Sequence, residues 1–450
     1  MKKLSYIYNI IIDNPLRNII IYAILVRILV FIFYNGITIF PDTEDYINLA
    51  QYLGNLNLDN YTGQRTPGFP ALIALAGQNL YLTVFYQIII GVFSTYLFYE
   101  FCIIKTNKKE IAFIATFIST SFLHVIFYEF AILTESLTFA LMILAFWYIE
   151  RYKLMEASIS LKHVFILSII LSVLYLTKPL FIYFPLGYFL FFITKHFKVS
   201  STKVSLILVV PFISFYSWNS LNEKNIGYFT SSYYLGINLA QTATSFFEKA
   251  PENDKIIRDI FIKHRDVVEQ NEPYHQYPMT VWYAYDDLIN ETELSPQALS
   301  YELGRISKNL FKKYPHLYMK QVFVSWIEFW GGTSTLLWNV DKFKYKLIRK
   351  ALVGTWNYIQ KPLLVIINIL FLIFSFKRVF SALKQKLKNL DSNLFMVLII
   401  LSGSIAQALV AYGTNSRFCF PFFALIVYFV LSNVFTLKNL YLNHADNPSS

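Results

Sequence analysis

Long apolar runs recur along almost the whole chain, and they constrain its fold more than any other feature. A helix that crosses a bilayer needs about 20 mostly apolar residues. Such runs lie near 17–40, 79–104, 111–128, 130–150, 162–178, 180–197, 203–221, 360–377, 393–412 and 418–437. The sequence therefore predicts an all-α polytopic membrane protein with about ten transmembrane helices.

Composition agrees with a membrane protein and argues against several classes of function. The 450 residues are 56% hydrophobic and 15% charged, against about 25% charged residues in soluble domains. The net charge of +11 lies largely in short loops between the apolar runs, so it does not indicate a nucleic-acid partner. The chain has no phosphate-binding glycine motif and no metal-type spacing of His or Cys, so neither a cofactor nor a metal is expected.

Basic residues gather in alternate short loops, and this pattern gives the protein an orientation. Lys105, Arg151, Lys195 and Arg378 follow the second, fourth, sixth and eighth runs. The positive-inside rule makes that side, which also holds the N-terminus, cytoplasmic. We therefore expect a multi-pass protein of the plasma membrane, the inner membrane of a bacterium, whose functional residues face outside.

Four regions follow from this topology. Residues 1–221 form an N-terminal membrane module with its first outer loop at 41–78, and 222–359 form a large, mostly helical outer segment. Residues 360–437 hold the C-terminal membrane helices, and 438–450 form a cytoplasmic tail. Residues 321–340 are apolar enough for an additional span, but an interfacial amphipathic helix fits the charge rule better.

An acidic stretch, Pro41-Asp42-Thr43-Glu44-Asp45-Tyr46, directly follows the first apolar run. Its simplest explanation is a helix start, with Asp42 or Thr43 as N-cap and two carboxylates favoured by the helix dipole. Carboxylates beside hydrocarbon are costly, however, and they point to a polar cavity. Asp42 and Asp45 are three residues apart on one helical face, so either is a candidate general base for an attacking hydroxyl.

Three cations stand at other outer ends of apolar runs. They are Arg65, in Arg65-Thr66-Pro67-Gly68-Phe69-Pro70, then Lys178 and Arg417. Each alone is explained by snorkelling to the interface, but together they suit a lipid phosphate or diphosphate. Glu135 lies at another outer turn, where the alternative is a helix start capped by Thr134.

The order of these pieces resembles the membrane-embedded glycosyltransferases of the GT-C superfamily, in particular their protein-mannosyltransferase-like and aminoarabinose-transferase-like branch. That branch has Asp-x-x-x-Tyr-x-x-x-Ala in its first outer loop, matched by 42–50, and then Arg-x-Pro-Gly-Tyr-Pro, matched by 65–70 with Phe69 for Tyr. A Thr-Glu turn at 134–135 and an Asn-x-Arg-Tyr-type turn at 415–418, with Phe for Tyr, also recur.

The resemblance covers about 17–200 well and about 400–437 weakly, and 222–359 has no counterpart in it. It implies a hexosyl or pentosyl transferase that moves a sugar from a polyprenyl-phosphate donor to an extracytoplasmic glycan, lipid or protein. It implies Asp42 as the base, with Asp45 second. The residues expected to contact substrate are Glu44, Tyr46, Arg65, Glu135, Lys178 and Arg417.

Three other functions stay open at the level of the sequence. A lipid or sugar transporter or flippase would carry ionisable residues near the membrane midplane, and Arg27 is one such residue inside an apolar run. A polysaccharide polymerase or ligase would share the large outer segment. A non-catalytic scaffold would need no cations on the side of the carboxylates. Membrane lipids are partners in every case.

Overall fold

The computed structural model describes residues 13–196, 201–271, 277–332, 339, 342–413 and 415–446. Within these ranges the chain is helical and forms no β-strand. Its extended pairing is limited there to two isolated bridges, Tyr34 with Phe343 and Thr38 with Ala131. The predicted all-α class is confirmed.

Every predicted apolar run contains helix. Six helices are long and apolar enough to cross a membrane, or seven if one bent pair is a single span, so the chain is a multi-pass membrane protein and the count of about ten crossings stays a prediction. The helices of the ten runs are Pro15–Phe33, Leu80–Thr106, Lys109–Ser121 with Leu123–Glu129, Glu135–Arg151, Leu161–Thr177, Tyr183–Lys195, Ser201–Ile226, Lys361–Lys384, Ser392–Val410 and Phe423–Asp446.

Two of the runs differ from the continuous helices that were predicted. The first helix ends at Phe33, and 34–40 are not helical. The run 111–128 bends by 59° between Lys109–Ser121 and Leu123–Glu129, where Phe122 is extended. A bend leaves backbone groups unpaired, and the side chain of Gln360 satisfies two of them. Its Oε1 accepts from Leu123 N at 2.8 Å and its Nε2 donates to Ser121 O at 2.9 Å.

The first outer loop carries two short helices, Pro41–Gly54 and Gly68–Leu75. The first is amphipathic and buries the face formed by Thr43, Tyr46, Leu49 and Ala50. The two helices pack against each other, and the second also contacts Leu161–Thr177. The loop therefore lies against the end of the bundle and keeps its acidic first turn beside the membrane helices.

The outer segment has its own core, which includes Phe247, Phe261, Leu299 and Ile306. The helix that precedes it runs to Ile226, and the division of the chain into four regions stays a prediction. Its helices are Tyr234–Ala243, Lys255–Asn271, Thr280–Tyr283, Tyr285–Thr292, Pro296–Lys313, Pro315–Trp330 and Lys346–Thr355.

The helix Pro315–Trp330 covers the first half of the doubtful run 321–340. It packs on Ser392–Val410, and Trp326 Nε1 donates to Ser404 Oγ at 3.0 Å. With 16 residues it is shorter than the helices that qualify as spans. Most of the second half of the run, 333–338 with 340, lies outside the described residues, so the interfacial placement stays a prediction.

Candidate functional site

Six charged side chains from five separate segments meet where the first outer loop lies against the bundle. Three are acidic and three are basic, so their formal charges cancel. All are partly or fully withdrawn from solvent, with side-chain exposure from 0% for Glu135 to 29% for Asp42. The six residues, called the charged cluster below, are Asp42, Asp45, Arg65, Glu135, Lys178 and Arg417.

The two aspartates are positioned by the start of the helix Pro41–Gly54. Phe40 is the N-cap and Pro41 occupies the first helical position, where its fixed φ suits a helix. The Thr43 hydroxyl accepts from Phe40 N at 3.0 Å and donates to Ile132 O at 3.1 Å. The helix start is thereby tied to the turn before Glu135, and the carboxylates of Asp42 and Asp45 face the same guanidinium.

Arg65 stands between the two aspartates. Its Nη2 lies 2.9 Å from Asp42 Oδ1 and its Nε lies 3.0 Å from Asp45 Oδ2. Its guanidinium carbon lies 5.0 Å from the ring centre of Tyr46 and 4.8 Å from that of Tyr234, so cation–π contacts add to the ion pairs.

Gly68 allows the turn that carries Arg65, residues 65–70, to lie close to the bundle. A Cβ atom at Gly68 would come within 2.5 Å of Thr177 N, a distance that no side chain tolerates. The Arg65 turn therefore rests on the end of the helix Leu161–Thr177, directly before Lys178. Lys178 itself is extended, as expected of a residue that precedes a proline.

Glu135 is the buried acceptor of the other two cations. Lys178 Nζ lies 3.0 Å from its Oε1, and Arg417 Nη2 lies 3.1 Å from its Oε2. Lys178 also lies 4.5 Å above the ring centre of Phe418. A carboxylate with no solvent exposure needs such partners to stay ionised.

Arg417 joins the two halves of the charged cluster. Its Nη1 donates to Asp42 Oδ2 at 3.0 Å while its other nitrogens bond Glu135. It lies in the short helix Ser416–Cys419, which leads into the last membrane helix. One carboxylate, that of Asp42, therefore contacts two guanidiniums that come from opposite ends of the chain.

These contacts set the protonation state of Asp42. Burial raises the pKa of its carboxyl, but the positive charges of Arg65 and Arg417 outweigh burial and hold the pKa at about 2. The same contacts raise the pKa of Arg65. Burial raises the pKa of the Tyr46 phenol to about 12, so Tyr46 is neutral. In this state Asp42 is an ionised but weak base, because both of its oxygens already accept from guanidiniums.

The structure brings together most of the residues that the sequence singled out. Tyr46 is buried under Arg65, with its ring edge-on to Phe69. Glu44 is the exception, because it is exposed on the helix Pro41–Gly54 and takes no part in the charged cluster. Snorkelling does not describe the three cations, since each ends on a carboxylate.

One predicted helix cap lies at another residue, and the other has the predicted residue without the expected cap hydrogen bond. The N-cap of the helix Pro41–Gly54 is Phe40, so the proposed caps Asp42 and Thr43 lie two and three residues further in, within the first turn. Thr134 does occupy the N-cap position before Glu135, but its side chain makes no cap hydrogen bond. Its hydroxyl donates to the Glu135 carboxylate at 3.3 Å. The described residues hold no group of three or more His, Cys, Asp or Glu side chains placed to bind a metal.

Sequence reasoning missed Tyr234 and the partner of Arg27. The Tyr234 hydroxyl donates to Asp45 Oδ2 at 3.0 Å, and no pattern in the outer segment signals this. Arg27 pairs inside the bundle with Glu129, at 2.6 and 2.7 Å. A base inside one apolar run and an acid at the junction of two others were a usable signal for that pair. Arg27 is therefore neutralised within the fold.

Comparison with known proteins finds two solved structures that match this chain. No protein-family model matches the chain, and no curated protein matches it. The two structures are the oligosaccharyltransferase AglB from Archaeoglobus fulgidus, in complex with an inhibitory peptide and a dolichol-phosphate, and the same organism's oligosaccharyltransferase tethered to an acceptor peptide. In each case the identity is 13%, the TM-score is 0.43, and the match covers 96% of this chain and 51% of the other. The chain thus spans about half the length of the proteins that it resembles.

Proposed function

We propose that the protein is an integral-membrane glycosyltransferase that takes a sugar from a polyprenyl-phosphate donor and passes it to an acceptor outside the cytoplasm. The observation that carries the proposal is the double contact of Asp42 with Arg65 and Arg417. Two guanidiniums, the kind of group that suits a phosphate, each lie within hydrogen-bond distance of a potential base at the end of an apolar helical bundle. A lipid phosphate needs both environments.

The donor phosphate would replace Asp42 on the guanidiniums. Arg65 and Arg417 each present a planar fork that suits a phosphate oxygen pair, and Lys178 adds a third positive charge. When the phosphate takes these contacts, the Asp42 carboxylate loses the positive charges that lower its pKa. Donor binding would thereby turn a weak base into an effective one at the reacting centre.

The transfer step then balances as one displacement. Asp42 accepts the proton of the acceptor hydroxyl, and the acceptor oxygen forms a bond to the anomeric carbon. The bond from that carbon to the phosphate oxygen breaks, and its electron pair leaves on the polyprenyl phosphate, whose charge Arg65 and Arg417 stabilise. Attack opposite to the leaving group inverts the anomeric centre.

A transporter or flippase is the alternative from another class. Its distinguishing feature in the sequence was Arg27, which is buried against Glu129 with 2% exposure on each side. This pair belongs to the packing of the bundle. The charged cluster supports a transferase better, since it places a carboxylate beside phosphate-binding groups at one end of the bundle.

Binding of polyprenyl phosphate to the purified protein in nanodiscs tests the proposal. We expect Arg65→Gln and Arg417→Gln each to weaken binding at least about tenfold, because each removes a charge-assisted phosphate contact. Arg151→Gln, an exposed cation at the other end of a membrane helix, is the control and should bind as the wild type does. Unchanged affinity in both cluster variants would refute the proposed donor site.

A further inference from the structure

An exposed tryptophan of the outer segment stands beside the charged cluster. The Trp282 ring centre lies 5.6 Å from that of Tyr234, in an edge-to-face arrangement. Tyr234 in turn donates to Asp45 and lies under the Arg65 guanidinium. The indole is therefore one aromatic ring removed from the Asp45–Arg65 ion pair. Nothing in the charged cluster itself requires an indole at this place.

Trp282 is exposed although it lies in a well-packed segment of the chain. Trp282 is 36% exposed and the adjacent Tyr283 is 47% exposed, whereas Thr280, Val281 and Ala284 are each 0% exposed. Gln241 Nε2 donates to Pro278 O at 3.0 Å, which ties this segment to the helix Tyr234–Ala243. A large aromatic ring that packing holds in the open is preorganised for contact with a ligand.

The same segment also lies against the turn that delivers Arg417. A Cβ atom at Gly413 would come within 2.8 Å of Pro278 Cβ, so the backbone at Gly413 touches the proline four residues before Trp282. The indole, Tyr234 and the charged cluster are thus connected through both the outer segment and the last outer turn.

We propose that Trp282 and Tyr234 form the acceptor platform of the enzyme, and that the acceptor is a saccharide whose ring lies on the indole. This inference rests on the proposed function. A pyranose has one face of C–H bonds and a rim of hydroxyls. The C–H face packs on the negative face of an aromatic ring, and the hydroxyls need polar partners. The indole meets the first need, and the Asp45 carboxylate with the Tyr234 hydroxyl meets the second.

A saccharide fits this surface better than the other acceptor classes. Strand addition at a sheet edge, one common mode of peptide binding, is not offered by the described residues, which form no strand. A lipid acceptor would need an apolar surface without carboxylates. Tryptophan is also common where proteins meet the membrane interface, and insertion of Trp282 into lipid is therefore the alternative that the experiment must expose.

Binding of the detergent-purified full chain to an array of immobilised oligosaccharides tests the inference. We expect the wild type to retain a defined set of glycans and Trp282→Ala to bind them at least about tenfold more weakly, since it loses an aromatic contact. Trp282→Phe should recover part of that loss, because it keeps an aromatic face. The control is Tyr301→Ala, which removes another exposed ring, 57% exposed and stacked on Tyr228, and should bind as the wild type does.

Three results would overturn the inference: no glycan retained by the wild type, equal retention by wild type and Trp282→Ala, or quenching of Trp282 fluorescence by brominated lipid in nanodiscs. The quenching of Trp282 is the difference in quenching between the wild type and Trp282→Phe. This comparison also tests the inference if the alanine variant is unstable. Polyprenyl phosphate binding is measured on the same preparations. If the wild type fails to bind it, the proposed function fails. If the wild type binds polyprenyl phosphate but retains glycans no better than Trp282→Ala does, only the acceptor inference fails.

Discussion

In the proposed mechanism Asp42 is the base, and its surroundings in this structure restrain that role. Its two oxygens accept from Arg65 and from Arg417, which makes it a good structural partner and a weak base. The conflict between these roles disappears when a phosphate takes over the guanidiniums. In this proposal Asp42 binds the two arginines while the donor is absent, and it accepts the proton when the donor is bound.

The ion pairs of Asp42 predict a specific loss of stability in acid. Its folded pKa of about 2 lies below the ordinary 3.8, so the stabilisation is present above about pH 4 and is lost as the pH falls toward 2. The shift corresponds to about 2 kcal/mol. Between pH 5 and pH 2, thermal unfolding should show the wild type losing about 2 kcal/mol more than Asp42→Asn. Parallel losses in the two proteins would show that these ion pairs do not stabilise the fold.

At the scale of elements, the bent helix pair Lys109–Ser121 and Leu123–Glu129 decides where the charged cluster can form. It leads directly into the turn that holds Ile132 and Glu135. Gln87 Nε2 donates to Glu129 O and Ala131 O at 3.1 and 3.0 Å, and the Arg27–Glu129 pair anchors the end of the bend. Gly91 lies against this pair, since a Cβ there would meet Glu129 Oε1 at 2.0 Å. Side chains from two other helices, Arg27 and Gln87, thus fix this turn.

The role of Gln360, whose side chain bonds the backbone at the bend between Ser121 and Leu123, is the easiest to test. Gln360→Ala would leave Leu123 N and Ser121 O without their partner at the bend, and each unsatisfied buried group costs about 1–3 kcal/mol. We expect thermal unfolding in nanodiscs to show a loss of about 2 kcal/mol or more. Asn357→Ala, on the same stretch but exposed, is the matched control. An equal effect in both variants would mean that the bend does not need Gln360.

At the scale of the whole molecule, the orientation in the membrane decides which compartment the charged cluster meets. A membrane-impermeant maleimide added to intact cells should label Glu44→Cys, which is exposed on the first outer helix. It should label Lys388→Cys only after the cells are opened, because the positive-inside rule predicts that this basic loop is cytoplasmic. The native cysteines, Cys102 and Cys419, are both buried and give little background. The reverse labelling pattern would invert the topology.

Much of this architecture was predictable because charge beside hydrocarbon is conspicuous. Arg65, Lys178 and Arg417 stand out at the ends of apolar runs, and a few kilocalories per buried charge make such positions rare unless they pair. Their mutual pairing with Asp42 and Glu135 was not predictable, since it depends on how the helices pack. Tyr234 was missed for the same reason. Its sequence neighbours carry no sign that its hydroxyl reaches Asp45.

The outer loop shows a second limit of sequence reasoning. The acidic first turn predicted a helix start correctly, but dipole and cap preferences did not distinguish Glu44 from Asp42 and Asp45. Only the packed structure shows that Glu44 faces solvent while its neighbours face Arg65. Helical spacing predicts which residues share a face of the helix. Which face packs against the rest of the protein is determined by tertiary contacts such as that of Thr43 with Ile132.

The most direct test of the account measures donor binding and sugar transfer on one variant, Asp42→Asn, beside Glu44→Gln as control. Asparagine removes the negative charge that competes with phosphate for Arg65 and Arg417, so polyprenyl phosphate should bind about tenfold more tightly. It also removes the base, so transfer from polyprenyl-phosphate sugars extracted from the source membranes should fall by about 10²–10⁴-fold. Tighter binding with lost transfer is the predicted result. Weaker binding, or transfer at the wild-type rate, would contradict the account.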